Sequence, residues 1–197
     1  MRAIVILTLT LSACHCGEVS SEEDARRAYL GIDPGVERAL RLGFQGYNTA
    51  SSANISPQTE SGDVSGQMTI GGQVDQGTSA NKGMRLTMEL ADYSDPPTQL
   101  DQDDEDYEIR YATKEGAPAN LTLSLKNIPN GTLTGTLMGT VVMSSDLEGD
   151  LALNLNFSGE IEEIPGEPGK TQRKAGTTHV TGTAVSEAGT YNVDLFR

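Results

Sequence analysis

The chain has 197 residues, 28 acidic against 14 basic, and a formal net charge of −14. So acidic a body has no net electrostatic affinity for nucleic acid or an anionic membrane surface, which disfavours a nucleic-acid function and leaves any membrane contact to acyl chains. Three Phe, six Tyr and no Trp leave it without the aromatic girdles of a transmembrane β-barrel, and two cysteines make no disulfide framework.

The first element is an apolar run over residues 3–11, preceded by Arg2 and followed by small Ser12 and Ala13. Its length suits the core of a signal peptide and is far below the roughly 20 residues of a spanning helix. Leu11-Ser12-Ala13-Cys14, at its end, resembles the lipobox of bacterial lipoprotein precursors. The resemblance covers residues 1–14 alone. It implies cleavage before Cys14, lipidation of that cysteine, and attachment to a membrane through acyl chains, two of which anchor stably where one is marginal. It also implies a cell-envelope address. His15 follows the cysteine, not the aspartate that holds some lipoproteins at the inner membrane, so the outer membrane is favoured. An ordinary cleaved signal peptide and a buried N-terminal strand are the other readings of this segment. Cys16 reads as an idle thiol, a second acyl site or an intermolecular link.

Residues 15–21 read as a tether. Ser20 and Glu23 fit a capping box, with a short helix from Glu22 to Leu30 ended by Gly31. Asp33-Pro34 then reads as the start of a second helix. Val36, Leu40, Phe44 and Tyr47 form its apolar stripe, with Glu37, Arg38 and Arg41 off the stripe. Residues 48–63 carry no period and read as a loop.

From Val64 onward the period is two. Val64, Met68, Ile70 and Val74 share a face, as do Met84, Leu86, Met88 and Leu90. The same alternation runs through Tyr107–Tyr111, Leu121–Leu125, Leu133–Met143, Leu151–Ile161, Val180–Ala184 and Tyr191–Leu195. Eight half-apolar segments are the pattern of antiparallel sheet with one solvated face. Asn130-Gly131 is the strongest hairpin signal, with further turns over residues 146–150 and 186–189. The expected fold is all-β: an antiparallel meander of about eight strands, as a curved sheet or closed barrel, with a short N-terminal helical segment. A two-sheet sandwich is the alternative. The chain divides into a signal peptide (1–13), a lipidated cysteine with tether and short helix (14–33), an amphipathic helix and loop (34–63) and the antiparallel β domain (64–197).

Chemistry-bearing motifs are sparse. His15 falls in the tether, His179 stands alone, and no nucleophile elbow, zinc-protease, phosphate-loop or dinucleotide motif occurs, so no catalytic residue is assigned and the chain reads as a non-enzyme. Asp101, Asp103, Asp104, Glu105, Asp106 and Glu108 form the densest acidic run, and oxygen ligands at that density suit Ca²⁺. It is not an EF-hand, since Asp106 stands where glycine is required and Ala112 where the twelfth-position glutamate belongs. The plainer reading is a solvated charge run. Lys170, Arg173 and Lys174 in the loop of residues 165–177 read as a flexible surface turn or a dock for an acidic partner. Triplets of the N-x-[ST] type at Asn54, Asn120 and Asn130 are read as chance.

Two functions remain: a lipid-anchored, non-catalytic protein that touches an envelope protein or polymer, or a β-barrel carrier of an apolar ligand. Inward glycines (Gly66, Gly72, Gly135, Gly139) would leave space for a ligand or ease sheet coiling. Ligand and oligomeric state are not legible in the residues.

Overall fold

A computed structural model of the chain describes residues 17–97, 99–100 and 106–197. It contains one helix, α1 (Glu22–Thr49), and eleven strands: β1 (Gly17–Glu18), β2 (Asn54–Ser61), β3 (Ser65–Val74), β4 (Lys82–Ser94), β5 (Ile109–Thr113), β6 (Ala119–Lys126), β7 (Gly131–Ser145), β8 (Leu147–Glu163), β9 (Thr171–Arg173), β10 (His179–Val185) and β11 (Thr190–Phe196). The mainly β, antiparallel architecture with an N-terminal helix is the one expected from the alternation.

Every one of the eight alternating segments is a strand, because each offers one apolar face to bury. Met68, Ile70, Val74, Met84, Met88, Leu121, Leu125, Leu137, Leu151, Leu155 and Val180 are fully buried. Val64 is half exposed just before β3 begins, and Tyr107, Tyr191 and Leu195 are only partly buried.

The sheet path is β11-β10-β8-β7-β5-β4-β3-β2. β6 also lies between β4 and β7. Along β4, from Met84 to Tyr93, the opposite residue runs from Leu123 through Ala119 to Tyr111. β5 and β6 are therefore one interrupted strand, not two neighbours. A tight turn with a Lys114–Ala117 bridge breaks it, and the Thr113 hydroxyl accepts from Leu90 N at 3.1 Å across the break.

Such a sheet is eight strands wide, or about 34 Å if flat. Yet α1, only about 10 Å across, packs against both edge strands, β2 and β11, and against β3 and β4. The sheet must therefore curl around the helix. Among the described residues β2 and β11 do not pair with each other, so the curl is open and α1 occupies its interior.

The helix departs from expectation in an instructive way. It is continuous, capped by Ser21, whose hydroxyl accepts from Asp24 N at 3.0 Å, with the Asp24 carboxylate accepting from Ser20 N at 3.1 Å. The capping pair is Ser21–Asp24 rather than Ser20–Glu23. Gly31 does not end the first helix, and Asp33-Pro34 does not start a second. The Tyr111 hydroxyl donates to Ala28 O at 2.6 Å and would sit 2.4 Å from a Cβ at Gly31. Glycine there admits a tyrosine, not a chain reversal. Pro34 removes one helical N–H, and burial on nearly all sides holds the helix through it.

Three further strands were not expected. β2 lies inside the segment read as a loop; only Ile55 is buried, Pro57 withholds a donor, and the register shifts between Ile55 and Gln58. It is an edge strand, where proline and bulges are tolerated. β9 is three residues long and pairs with the end of β8. β1 lies inside the presumed tether and pairs in parallel with Leu147–Glu148. The β6–β7 connection is longer than a two-residue Asn130-Gly131 turn: Lys126 pairs with Thr132, and Asn127 takes a positive φ of 57°. Gly135 does not leave space, since a Cβ there would lie 2.3 Å from Thr122 O; it allows strands to approach.

Candidate functional site

Three polar features stand out, and all involve α1. The first fixes one flank of the helix. Asp33, 4 % exposed, receives Arg173 Nη1 on Oδ1 at 2.8 Å and Nη2 on Oδ2 at 3.1 Å, a bidentate pair. Arg197 Nε donates to Oδ2 at 3.2 Å and the Tyr29 hydroxyl to Oδ1. Arg173 also reaches Glu37 Oε2 through Nε at 2.9 Å. Helix periodicity stacks Tyr29, Asp33 and Glu37 on one face, and β9 exists locally to deliver Arg173 to them.

Burial alone would raise the Asp33 carboxyl, but hydrogen bonds and charge from Arg173, with the Tyr29 hydroxyl, outweigh it and hold the group below the ordinary carboxylate value. Burial, followed by the Asp33 charge, pushes Tyr29 well above the ordinary phenol range. A carboxylate has about four lone-pair sites. Four donors fill those of Asp33, leaving it none for a substrate proton.

The second feature fixes another flank with the charges exchanged. Here the helix supplies the cation. Arg38 reaches Tyr93 Oη at 2.8 Å, Asp63 at 2.9 Å, Ser61 O at 3.0 Å, Asp95 at 3.2 Å and Glu60 at 3.3 Å. Tyr93 donates to the buried Asp95 carboxylate, which also accepts from Asp63 N at 3.0 Å. Burial, followed by its bond to Asp95, raises Tyr93 well above the ordinary phenol value.

The third feature is a cleft of about 620 Å³ at the C-terminal end of α1, between the turns of residues 75–81 and 164–170. Phe44, Tyr47, Ile128 and Ile164 form its apolar lining, and Arg41, Lys82, Lys170 and Glu167 its charged groups. Lys82 is 7 % exposed. Its Nζ donates to Gly77 O at 2.6 Å and Tyr47 Oη at 3.2 Å, and lies 4.6 Å from the Tyr47 ring centre. Phe44 and Tyr47, read from sequence as core stripe, are only half-buried and face this cleft.

Of the residues singled out in the sequence, Cys14, Cys16 and His15 lie outside the described residues, as do Asp101, Asp103, Asp104 and Glu105. Asp106 accepts from Gln99 Nε2 at 2.9 Å, and Glu108 pairs with Arg110 at 3.2 Å. Among the described residues no group of three His, Cys, Asp or Glu side chains could hold a metal ion. His179 is not alone: its Nε2 lies 2.8 Å from Asp194 Oδ1 and its ring stacks on Phe196 at 4.4 Å. The group sits on the open outer sheet face, opposite exposed Ser158 in register. Of the basic loop, Lys174 pairs with Glu160 at 2.6 Å and Lys170 with Glu167, while Arg173 is buried as described.

Sequence reasoning missed both clamps, because charges on a helix ordinarily mark a solvated face. One signal was available. Ala25, Ala28, Gly31, Gly35, Ala39, Gly43 and Gly46 repeat every three or four residues along the whole of α1, the mark of a single helix in close contact over its full length.

Together the fold and its clamps define an open, curled antiparallel sheet filled by one helix. No family model, curated protein or solved structure matches the chain.

Proposed function

We propose that this protein is a lipid-anchored, non-catalytic component of a bacterial cell envelope, attached through acyl chains on Cys14 and acting through contacts of its body with an envelope protein or polymer. The observation that carries the reading is the apolar run ending in Leu11-Ser12-Ala13-Cys14. His15 favours the outer membrane. Among the described residues no helix is long and apolar enough to cross a membrane.

The packing of the body supports it in two ways. The interior of the curl is occupied by α1 and a continuous cluster of buried side chains. The most buried carboxylates, Asp33 and Asp95, are committed to the clamps, which suits a scaffold better than an acid–base catalyst.

The reading also sets a geometry. The chain is already packed at Gly17, with Val19 fully buried, Ser186 Oγ donating to Val19 O at 2.7 Å, and Asn192 Nδ2 to Glu22 at 2.9 Å. Cys14 is three residues away, a reach of about 10 Å at full extension. The body would be held against the bilayer with no long tether. Intact mass of protein extracted from membranes tests this: the expected mass is that of residues 14–197 plus diacylglycerol, with or without a further acyl chain. A mass matching the bare polypeptide would refute the reading.

A further inference from the structure

The cleft at the end of α1 has a charge arrangement that the clamps do not share. Elsewhere in the described body, buried cations face carboxylates: Arg38 has Asp63, Asp95 and Glu60, and Arg173 has Asp33 and Glu37. Lys82 is as buried as they are, yet among the described residues no carboxylate comes within ion-pair distance of it. The nearest candidate in sequence, Asp75, feels the Lys82 charge from beyond ion-pair distance but is bound to Arg85 at 2.8 Å and to Gly83 N at 3.0 Å. Lys82 has a carbonyl, a phenol oxygen and the face of an aromatic ring. The negative end of α1 adds about half a charge close by. A buried ammonium so placed lacks a full counter-charge, and burying a charge without one is costly.

The surroundings define what would supply it. Phe44, Ile128 and Ile164 present half-buried apolar surface beside Lys82, while Arg41 at the rim is already paired with Glu60 at 2.5 Å and Lys170 with Glu167. In a chain of net charge −14, that leaves Lys82 as the one lining cation with no carboxylate in ion-pair range among the described residues. A cleft of this volume lies within the range of small-molecule sites, where apolar walls give affinity and a few polar groups fix orientation. An acetate-sized anion would leave the apolar walls wet. A neutral hydrocarbon would leave Lys82 without its counter-charge.

From these observations we infer that the cleft binds an amphiphilic carboxylate, its head on Lys82 and its apolar chain over Phe44, Ile128 and Ile164. The site lies on the outside of the body and does not depend on lipidation of Cys14.

The test uses the full chain carrying Cys14→Ser, so that no acyl chain of its own competes. Titration calorimetry with dodecanoate below its micellar concentration is compared with dodecanol and acetate. The expected result is saturable 1:1 binding of dodecanoate, with dodecanol and acetate each weaker by about tenfold or more. Lys82→Met, which keeps the apolar stem, is expected to bring dodecanoate down to the level of dodecanol. Lys114→Met, on a distant paired lysine, is expected to change nothing. Should Lys82→Met not fold, Ile164→Glu, which sets a carboxylate in the half-buried wall, is expected to abolish dodecanoate binding without a change in circular dichroism. Absence of binding to the parent chain, equal binding of dodecanol, or undiminished binding in folded Lys82→Met or Ile164→Glu protein would each overturn the inference.

Discussion

Arg173 Nη1 stands 2.8 Å from Asp33 Oδ1 across 140 residues of sequence, joining the middle of the helix to the three-residue strand β9. That pair is mirrored by Arg38, which joins the same helix to acids around β2–β4 with the charges exchanged. The helix is thus held at both sides of the opening between β2 and β11. A curled sheet that does not close needs such a lock, because its two edges have no hydrogen bonds to each other.

Removing one partner of the Asp33–Arg173 pair leaves a buried, uncompensated charge. Asp33→Ala is expected to destabilise the protein by about 3–5 kcal/mol, in the range for broken buried ion pairs. Arg173→Met should cost a similar amount, and the double variant less than the sum of the two, since neither charge is then stranded. Denaturant melts of the four proteins measure this coupling. Strictly additive losses would mean that the pair does not act as a unit.

The same carboxylate sets an acid limit. The Asp33 group is held below its ordinary value, so its contribution is full above the unfolded-state value of about 3.9 and fades as pH falls through the lower folded-state value. Thermal melts of wild type should fall steeply below about pH 4. In Asp33→Asn the whole curve should lie lower and this acid slope should be shallower. An unchanged slope would assign acid sensitivity to other groups.

Alkaline behaviour follows from the tyrosines. Tyr29, Tyr93 and Tyr111 are all held above the ordinary phenol value, burial being the main cause in each. Above about pH 10 the unfolded chain gains phenolates that the folded chain resists, so stability falls as pH rises further. Phenolate absorbance should show these three ionising together with the loss of the near-ultraviolet circular dichroism signal. Their ionisation in a fully folded protein would contradict the burial described.

Gly31→Ala tests close packing against helix propensity. In an exposed helix the change stabilises by about 1 kcal/mol. Here the new Cβ would lie 2.4 Å from the Tyr111 hydroxyl oxygen, and overpacking of this kind costs about 1–3 kcal/mol. The expected sign is therefore destabilising. Adding Tyr111→Phe removes the obstructing atom and should recover part of the loss, as read by urea midpoints.

These relationships explain what could be read in the residues. Period two identified eight strands because each buries one face against a single core, as Leu121, Leu123 and Leu125 do. It failed for β2, where Ile55 is the one buried side chain, and for β1 and β9, too short to hold a pattern. It misjudged α1 because an enclosed helix has no solvated face to contrast with its core face: Asp33 and Arg38 are as buried as Leu30. The clamps were hidden for a further reason, since ion pairs over such separations leave no local spacing to read. The lipobox-like segment and most of the acidic run from Asp101 to Glu108 fall outside the described residues, so those expectations rest on sequence.

Membrane attachment is the central claim, and fractionation of cells producing wild type and Cys14→Ser tests it most directly. Wild type should sediment with membranes and resist extraction by high salt, while Cys14→Ser should leave them for the soluble fraction. A Cys14→Ser protein retained on membranes as firmly as wild type would contradict the account.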